Sequence, residues 1–243
     1  DTQKFANDFT KELLKYNTEH SNQMIEATST KSFDKDATDK TFNVAGLDFG
    51  YYLICQTGTK EIQSSLVPVV GETATVNLKT QAPDITKTAD NDATTVHVGQ
   101  TVTYTITGQV PDMTGYSNYV YKIHDTLTNG LDFVTNEAGN VVVTVKIGET
   151  TYNDVVGAIS KDNARNMTID LSEKVKTAAT GAKIEVTYQA KVNKNAVVET
   201  KNSATLEYSN KPGTDATGTT KPSEVVTPTY PLDVKKTDTK DTM

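Results

Sequence analysis

Apolar and polar residues alternate with period two through much of this chain, most densely between residues 83 and 212. Thr101-Val102-Thr103-Tyr104-Thr105-Ile106-Thr107 is the clearest run. Tyr121 to Leu127, Val141 to Ile147, Met167 to Leu171, Ile184 to Ala190 and Thr205 to Tyr208 repeat the pattern. Such alternation predicts strands with one face buried. Pro83-Asp84-Ile85-Thr86-Lys87-Thr88 opens the set, and Val96 to Gln100 leads into the second strand. Asn129-Gly130 marks a tight turn. Ser172 to Ala179 reads as a short helical crossover. Seven or more short strands separated by turn signals predict a β-sandwich over 83–212.

The flanks read differently. Phe5, Phe9, Leu13 and Tyr16, with Leu14 beside them, form an apolar stripe at helical spacing over 3–20 and predict a packing helix. Residues 28–40 are polar and predict a loop. Two strands are expected around Gly46 and Gly50 within 41–56. Gly50-Tyr51-Tyr52-Leu53-Ile54 is expected to be buried and Cys55 to continue it as a small inert hydrophobe. Leu66 to Val70 and Thr73 to Leu78 add strand signal. Residues 1–80 therefore read as the later part of a small α+β domain. Pro212, Gly213, Gly218, Pro222 and Pro228 among Thr and Ser give 213–229 linker composition. Residues 230–243 restart a strand, and Lys236-Thr237 echoes Lys87-Thr88, as a tandem array would. A start inside a helical pattern and a stop just after a strand-like one are expected of a piece of a longer precursor.

Composition narrows the function classes. Val, Thr, Ile and Tyr favour strands, and Trp is absent. A net charge of −7 argues against a nucleic-acid partner. Cys55 is the only cysteine, so no disulfide forms within the chain. No apolar stretch is long enough to span a membrane. No phosphate-binding glycine loop and no hydrolase triad is visible. His20, His97 and His124 lack metal-ligand spacing, and no cofactor or metal is called for. Asp34, Asp36 and Asp39 lack the glycine and the closing glutamate of a calcium loop. Asn166-Met167-Thr168 fits the short glycosylation pattern.

Three polar residues sit on or beside strand patterns: Lys87, Asp125 and Asn202. Taken one at a time, Lys87 fits a solvated strand face and Asn202 a turn, while Asp125-Thr126 fits a helix N-cap or an Asx turn. Brought together in an apolar core, they have a chemistry. Burial disfavours charge on a lysine and on a carboxyl alike. A neutral Lys87 amine is a nucleophile. A protonated Asp125 can polarise the Asn202 carbonyl and shuttle protons as ammonia leaves.

The domain resembles the second domain of sortase-assembled backbone pilins of Gram-positive bacteria. The resemblance is carried in order by Ile85-Thr86-Lys87-Thr88, Gly99-Gln100-Thr101-Val102-Thr103-Tyr104, Val110-Pro111, Tyr116-Ser117-Asn118-Tyr119, Asp125-Thr126-Leu127 with Gly130-Leu131-Asp132-Phe133, Asn193-Lys194-Asn195-Ala196-Val197, and Asn202 through Pro212. It covers about 130 residues. It implies a mainly β protein of tandem immunoglobulin-like sandwiches of the collagen-adhesin type, with a partial α+β N-terminal domain. It also implies a Lys87–Asn202 isopeptide bond assisted by Asp125, with Asn210 as the rival acceptor. Lys236 becomes the crosslinking lysine of the following collagen-adhesin B-type domain. The family's Tyr-Pro-Lys polymerisation pattern is absent, and Lys79 in Val76-Asn77-Leu78-Lys79 stands roughly in its place as sortase acceptor.

The implied function is a structural shaft subunit of a covalent cell-surface pilus, extracellular and wall-linked. Its partners would be sortase and other pilin subunits. The alternative is an adhesin module for a host matrix protein or glycan, although 83–212 shows no large inserted binding region. An enzyme, for instance a carbohydrate-active one, would need paired carboxylates in a cleft.

Overall fold

In the computed structural model, which describes residues 2–33, 38–78, 81–91, 94–196 and 199–229, the alternating stretches become two facing sheets. The elements in order are α1 (Thr2–Glu19), β1 (Gly50–Gln56), β2 (Gln63–Val69), β3 (Thr86–Ala89), β4 (Thr101–Gln109), β5 (Tyr121–Leu127), β6 (Leu131–Phe133), β7 (Val141–Val142), β8 (Thr144–Ile147), β9 (Thr150–Tyr152), β10 (Val156–Ile159), β11 (Asn166–Asp170), α2 (Ser172–Val175), β12 (Lys183–Val192), β13 (Glu199–Ser209), β14 (Thr217–Thr219) and β15 (Ser223–Pro228). One sheet runs β3-β4-β12-β8-β9, with β6 also against β12. The other runs β14-β13-β5-β11-β10-β7, with β15 also against β13. The protein is mainly β, its sheets antiparallel, with a helix at the N-terminal end.

Side chains alternate across each strand, so every second residue enters the space between the sheets. Val102, Tyr104 and Ile106 of β4, Ile184, Val186 and Tyr188 of β12, Tyr121 and Ile123 of β5, and Ala204 and Leu206 of β13 form one buried cluster. The Asn129-Gly130 turn is tight for a packing reason. A Cβ on Gly130 would lie 2.5 Å from Thr200 Cγ2 and 2.7 Å from Ala196 Cα.

Residues 213–229 differ from the expected linker. β14 pairs with Glu207–Ser209, and β15 pairs with Glu199 through Ala204. The Thr-rich composition serves the fold directly. Thr220 Oγ1 accepts from Leu206 N at 3.0 Å, and Thr227 is fully buried. Pro222 precedes β15 and Pro228 ends it, positions where a missing N–H is tolerated.

The N-terminal module also departs from the pattern. α1 forms, but Phe5 and Phe9 are 57% and 49% exposed while Ala6 and Thr10 are buried. The helix docks through its small polar face, where Asn7 Oδ1 accepts from Ser64 N at 3.0 Å and Ser64 Oγ at 2.8 Å. The β1–β2 hairpin is only half covered, with Tyr51 77% exposed, and Cys55 is exposed too. Residues 41–49 and 73–78 form no strand, since neither stretch finds a pairing partner among the described residues. The module is tied to the sandwich through Lys60, whose N donates to Gln81 O at 2.7 Å and whose O accepts from Asp112 N at 2.8 Å. Lys11 and Asp112 add an ion pair at 3.0 Å.

Gly58 sits in this junction with φ +72°, and a Cβ there would lie 2.7 Å from the backbone oxygen of Asn210. Positive φ and a backbone obstruction act together. Gly58→Ala is expected to cost about 1–3 kcal/mol and to speed amide exchange in α1, β1 and β2, leaving the sandwich strands protected in hydrogen-exchange mass spectrometry. Unchanged exchange in α1 would show that the close approach does not hold the module.

Candidate functional site

Lys87, Asp125 and Asn202 all fall in the buried phase of their strands. Lys87 is the one buried residue of β3, and Asp125 lies between Ile123 and Leu127 on the inner face of β5. Asn202 precedes Ala204 and Leu206 on the inner face of β13. β13 pairs with β5 so that Asn202 faces Leu127 and Ala204 faces Asp125. Asn202 and Asp125 are therefore diagonal neighbours on one face, within side-chain reach. Lys87 comes from the opposite sheet and crosses the core to meet them.

The fourth member is Tyr188 of β12. Lys87 Nζ donates to both Asp125 Oδ2 and the Tyr188 hydroxyl. The Tyr188 hydroxyl donates to Asp125 Oδ2 at 2.7 Å and accepts from Asn202 Nδ2 at 2.8 Å. One phenol oxygen thus touches all three polar groups. It brings Lys87 Nζ and Asn202 Nδ2 within about 6 Å, two hydrogen-bond lengths. The Tyr104 and Tyr188 rings flank the amine, their centroids 5.2 Å and 4.9 Å from Nζ.

The Lys87 and Asp125 side chains are wholly withdrawn from solvent. Burial is the dominant influence on both. It pushes the Lys87 ammonium below its ordinary value, against the opposing pull of Asp125. It pushes the Asp125 carboxyl up, against Lys87 and the Tyr188 hydrogen bond. Each shift favours the uncharged form. Asp125 Oδ1 and Asn202 Oδ1 are buried without a hydrogen-bond partner. A proton on Asp125 would turn one of its carboxyl oxygens into a donor.

The alternation of β12 places Tyr188 inside with Ile184 and Val186, and alternation alone marks it as no more than a buried strand residue. The available signal was its position opposite Tyr104 across the β4–β12 ladder, which pairing alone reveals. Asn210, the rival acceptor, lies past the end of β13, roughly 26 Å along the strand from Asn202. It packs instead against Gly58 and Gly218. His124 points to the other side of β5 from Asp125, where it meets Glu207 Oε2 at 2.8 Å and Thr168 Oγ1 at 3.1 Å. Asn166 heads β11, half-buried. Asp39 caps a local turn by accepting from Thr41 N at 2.8 Å. Lys79, Asp34, Asp36 and residues 230–243 with Lys236 lie outside the described residues. Among the described residues no cluster of His, Cys, Asp or Glu is built to hold a metal, and no helix is long and apolar enough to cross a membrane.

No protein-family profile matches the chain, and no curated protein matches it. Among solved structures, the fold is similar to that of major pilins of Gram-positive bacteria. The full-length major pilin SpaD of Corynebacterium diphtheriae aligns at 22% identity and a TM-score of 0.49, over 74% of this chain and 47% of SpaD. BcpA, the major pilin subunit of Bacillus cereus, aligns at 19% identity and a TM-score of 0.47, over 75% of this chain and 56% of BcpA. The N-terminal domain of the Streptococcus gordonii adhesin Sgo0707 aligns at 16% identity and a TM-score of 0.46, over 70% of this chain and 35% of that one. The chain spans about half the length of the pilins it matches. These likenesses concern the fold alone.

The Lys87–Asp125 pair has a pH signature. A charged ammonium–carboxylate pair and a neutral amine–carboxylic acid pair hold the same number of protons, so pH does not shift the balance between them. Acid converts the pair to ammonium with carboxylic acid, and alkali to amine with carboxylate. Any reaction needing the neutral pair is expected to run at a constant rate around neutrality and to fall on both sides. For the expected Lys87–Asn202 crosslink, ammonia loss by freshly translated protein, stopped in denaturant and weighed, would measure this. A rate that climbs steadily with pH would remove Asp125 as an acid.

Proposed function

We propose that this chain is part of a shaft subunit of a covalently polymerised surface pilus, and that its sandwich is locked by a self-made Lys87–Asn202 isopeptide bond. The observation that carries the reading is the meeting of Lys87, Asp125 and Asn202 around one hydroxyl in a dry core. The ordered motif resemblance over 83–212 supports it. Lys87 first passes a proton to Asp125. The neutral Nζ attacks Asn202 Cγ while the Asp125 acid protonates the carbonyl oxygen. A new Nζ–Cγ bond forms, one proton lost by Nζ is delivered to Nδ2, the Cγ–Nδ2 bond breaks, and Nδ2 departs as ammonia. Asp125 recovers its proton as the carbonyl re-forms, and the reaction happens once per molecule. Holding the groups in contact lowers the barrier by roughly 7–11 kcal/mol.

The bond would staple one sheet to the other and close a loop of about 100 residues, worth roughly 4–5 kcal/mol in the loop-entropy model. Tension entering at Lys87 would pass to Asn202 through covalent bonds. β14 and β15 follow Asn202 in the chain, so they lie outside the closed loop. As a shaft subunit the protein would sit outside the cell, linked to its neighbours and to the wall by sortase. Lys79 is the acceptor lysine in this reading, and Lys236 the crosslinking lysine of the next module.

Intact mass tests the crosslink. The protein is expected to be one ammonia lighter than its sequence, and Asn210→Ala is expected to keep that deficit. Lys87→Ala, Asn202→Ala and Asp125→Ala should each show the full mass of their sequence. A full-mass parent protein would end the proposal. Supplied with a cognate sortase, Lys79→Ala should give no polymer ladder on denaturing gels. An unaltered ladder would place the acceptor elsewhere.

A further inference from the structure

The crosslinking reaction assumed above must move two protons besides the one on Asp125. One leaves Lys87 Nζ as its bond to Cγ forms, and one must reach Asn202 Nδ2 before that nitrogen can depart. Asp125 Oδ2 is hydrogen-bonded to Lys87 and Tyr188, whereas the partner of Nδ2 is the Tyr188 oxygen at 2.8 Å. The same oxygen is bonded to Nζ. The Tyr188 ring is fixed by Tyr104, 5.8 Å away and inclined by 27°, and by Phe133 at 6.0 Å.

The geometry points to Tyr188 as a catalytic proton relay for isopeptide formation: once Nζ has added to Cγ and Nδ2 is an amine nitrogen that can accept, the Tyr188 oxygen takes the proton released by Nζ while its hydroxyl proton, directed at Asp125 Oδ2 before reaction, turns to Nδ2. The balance closes. Tyr188 ends as it began, Lys87 has lost one hydrogen, and the leaving amide nitrogen has gained it as ammonia. Because giving and taking coincide, no phenolate is formed. That suits a hydroxyl whose ionisation is held far above its ordinary range by burial and by Asp125. The assignment leaves Asp125 to act at the carbonyl oxygen and Tyr188 at the two nitrogens. It rests on the crosslink reading but is separable from it.

Tyr188→Phe keeps the ring and deletes the oxygen. If Tyr188 is the relay, folded Y188F is expected at full sequence mass when isolated, losing ammonia at least about 100-fold more slowly than the parent chain. Y188F that matures as fast as the parent overturns the relay and leaves the crosslink standing. A parent chain that never loses ammonia overturns the crosslink itself. Ring-fluorinated tyrosine incorporated at position 188 covers the case in which Y188F does not fold. It alters phenol acidity with little change in shape, which a purely structural role would not register. The relay predicts a maturation rate that changes with phenol acidity, and a rate indifferent to it overturns the relay.

Discussion

An amine held out of water is the constraint around which this sandwich is built. Desolvation of Lys87 disfavours its charge, and the Asp125 carboxyl beside it is desolvated to the same extent. A buried ion pair returns little or nothing once the removal of both charges from water is counted. Conversion of the amine to an amide would abolish the problem by leaving a neutral group that hydrogen-bonds in place. The cost of burying Lys87 in the newly folded chain is thus tied to the chemistry that would remove it.

Placement of the buried polar groups follows from how the two sheets share the core. β5 and β13 present Asp125 and Asn202 diagonally on one inner face, while β3 and β12 bring Lys87 and Tyr188 from the other. Neither sheet holds a reactive set by itself. Assembly of the core is what brings the four groups together. β15 closes the arrangement. It pairs with β13 beside Asn202, and its first residue, Ser223, accepts through Oγ from Lys87 N at 2.9 Å. The C-terminal strands thus reinforce the site even though they follow it in the chain.

The N-terminal module is held by different means. Most of the exposed large hydrophobic residues among those described lie in residues 5–70, including Phe5, Phe49 and Tyr51. Its contacts with the sandwich include backbone hydrogen bonds of Lys60, the Lys11–Asp112 and Lys60–Asp84 ion pairs, and the close approaches at Gly58 and between Leu14 and Gly115. Few buried apolar contacts mean a low free energy of local opening. The sandwich and the module therefore differ in stability, although one chain runs through both.

Period-two alternation by itself determined β4, β5, β11 and β12, because a strand with one buried face writes its own signature. The same alternation allowed Lys87 an inward position, and the motif order carried the expectation that Asp125 and Asn202 join it. Other features were decided only in three dimensions. Thr-rich residues 213–229 became strands because β13 offered them an edge, and an edge is invisible in local composition. The aromatic stripe of α1 stayed exposed because Ser64 and Asn7 bound its other face. Tyr188 acquired its position among the polar groups through cross-strand pairing with β4 and contact across the core. A sequence records which way a side chain faces along its own strand, whereas its partners depend on which strands meet, and that is settled by packing the whole domain at once.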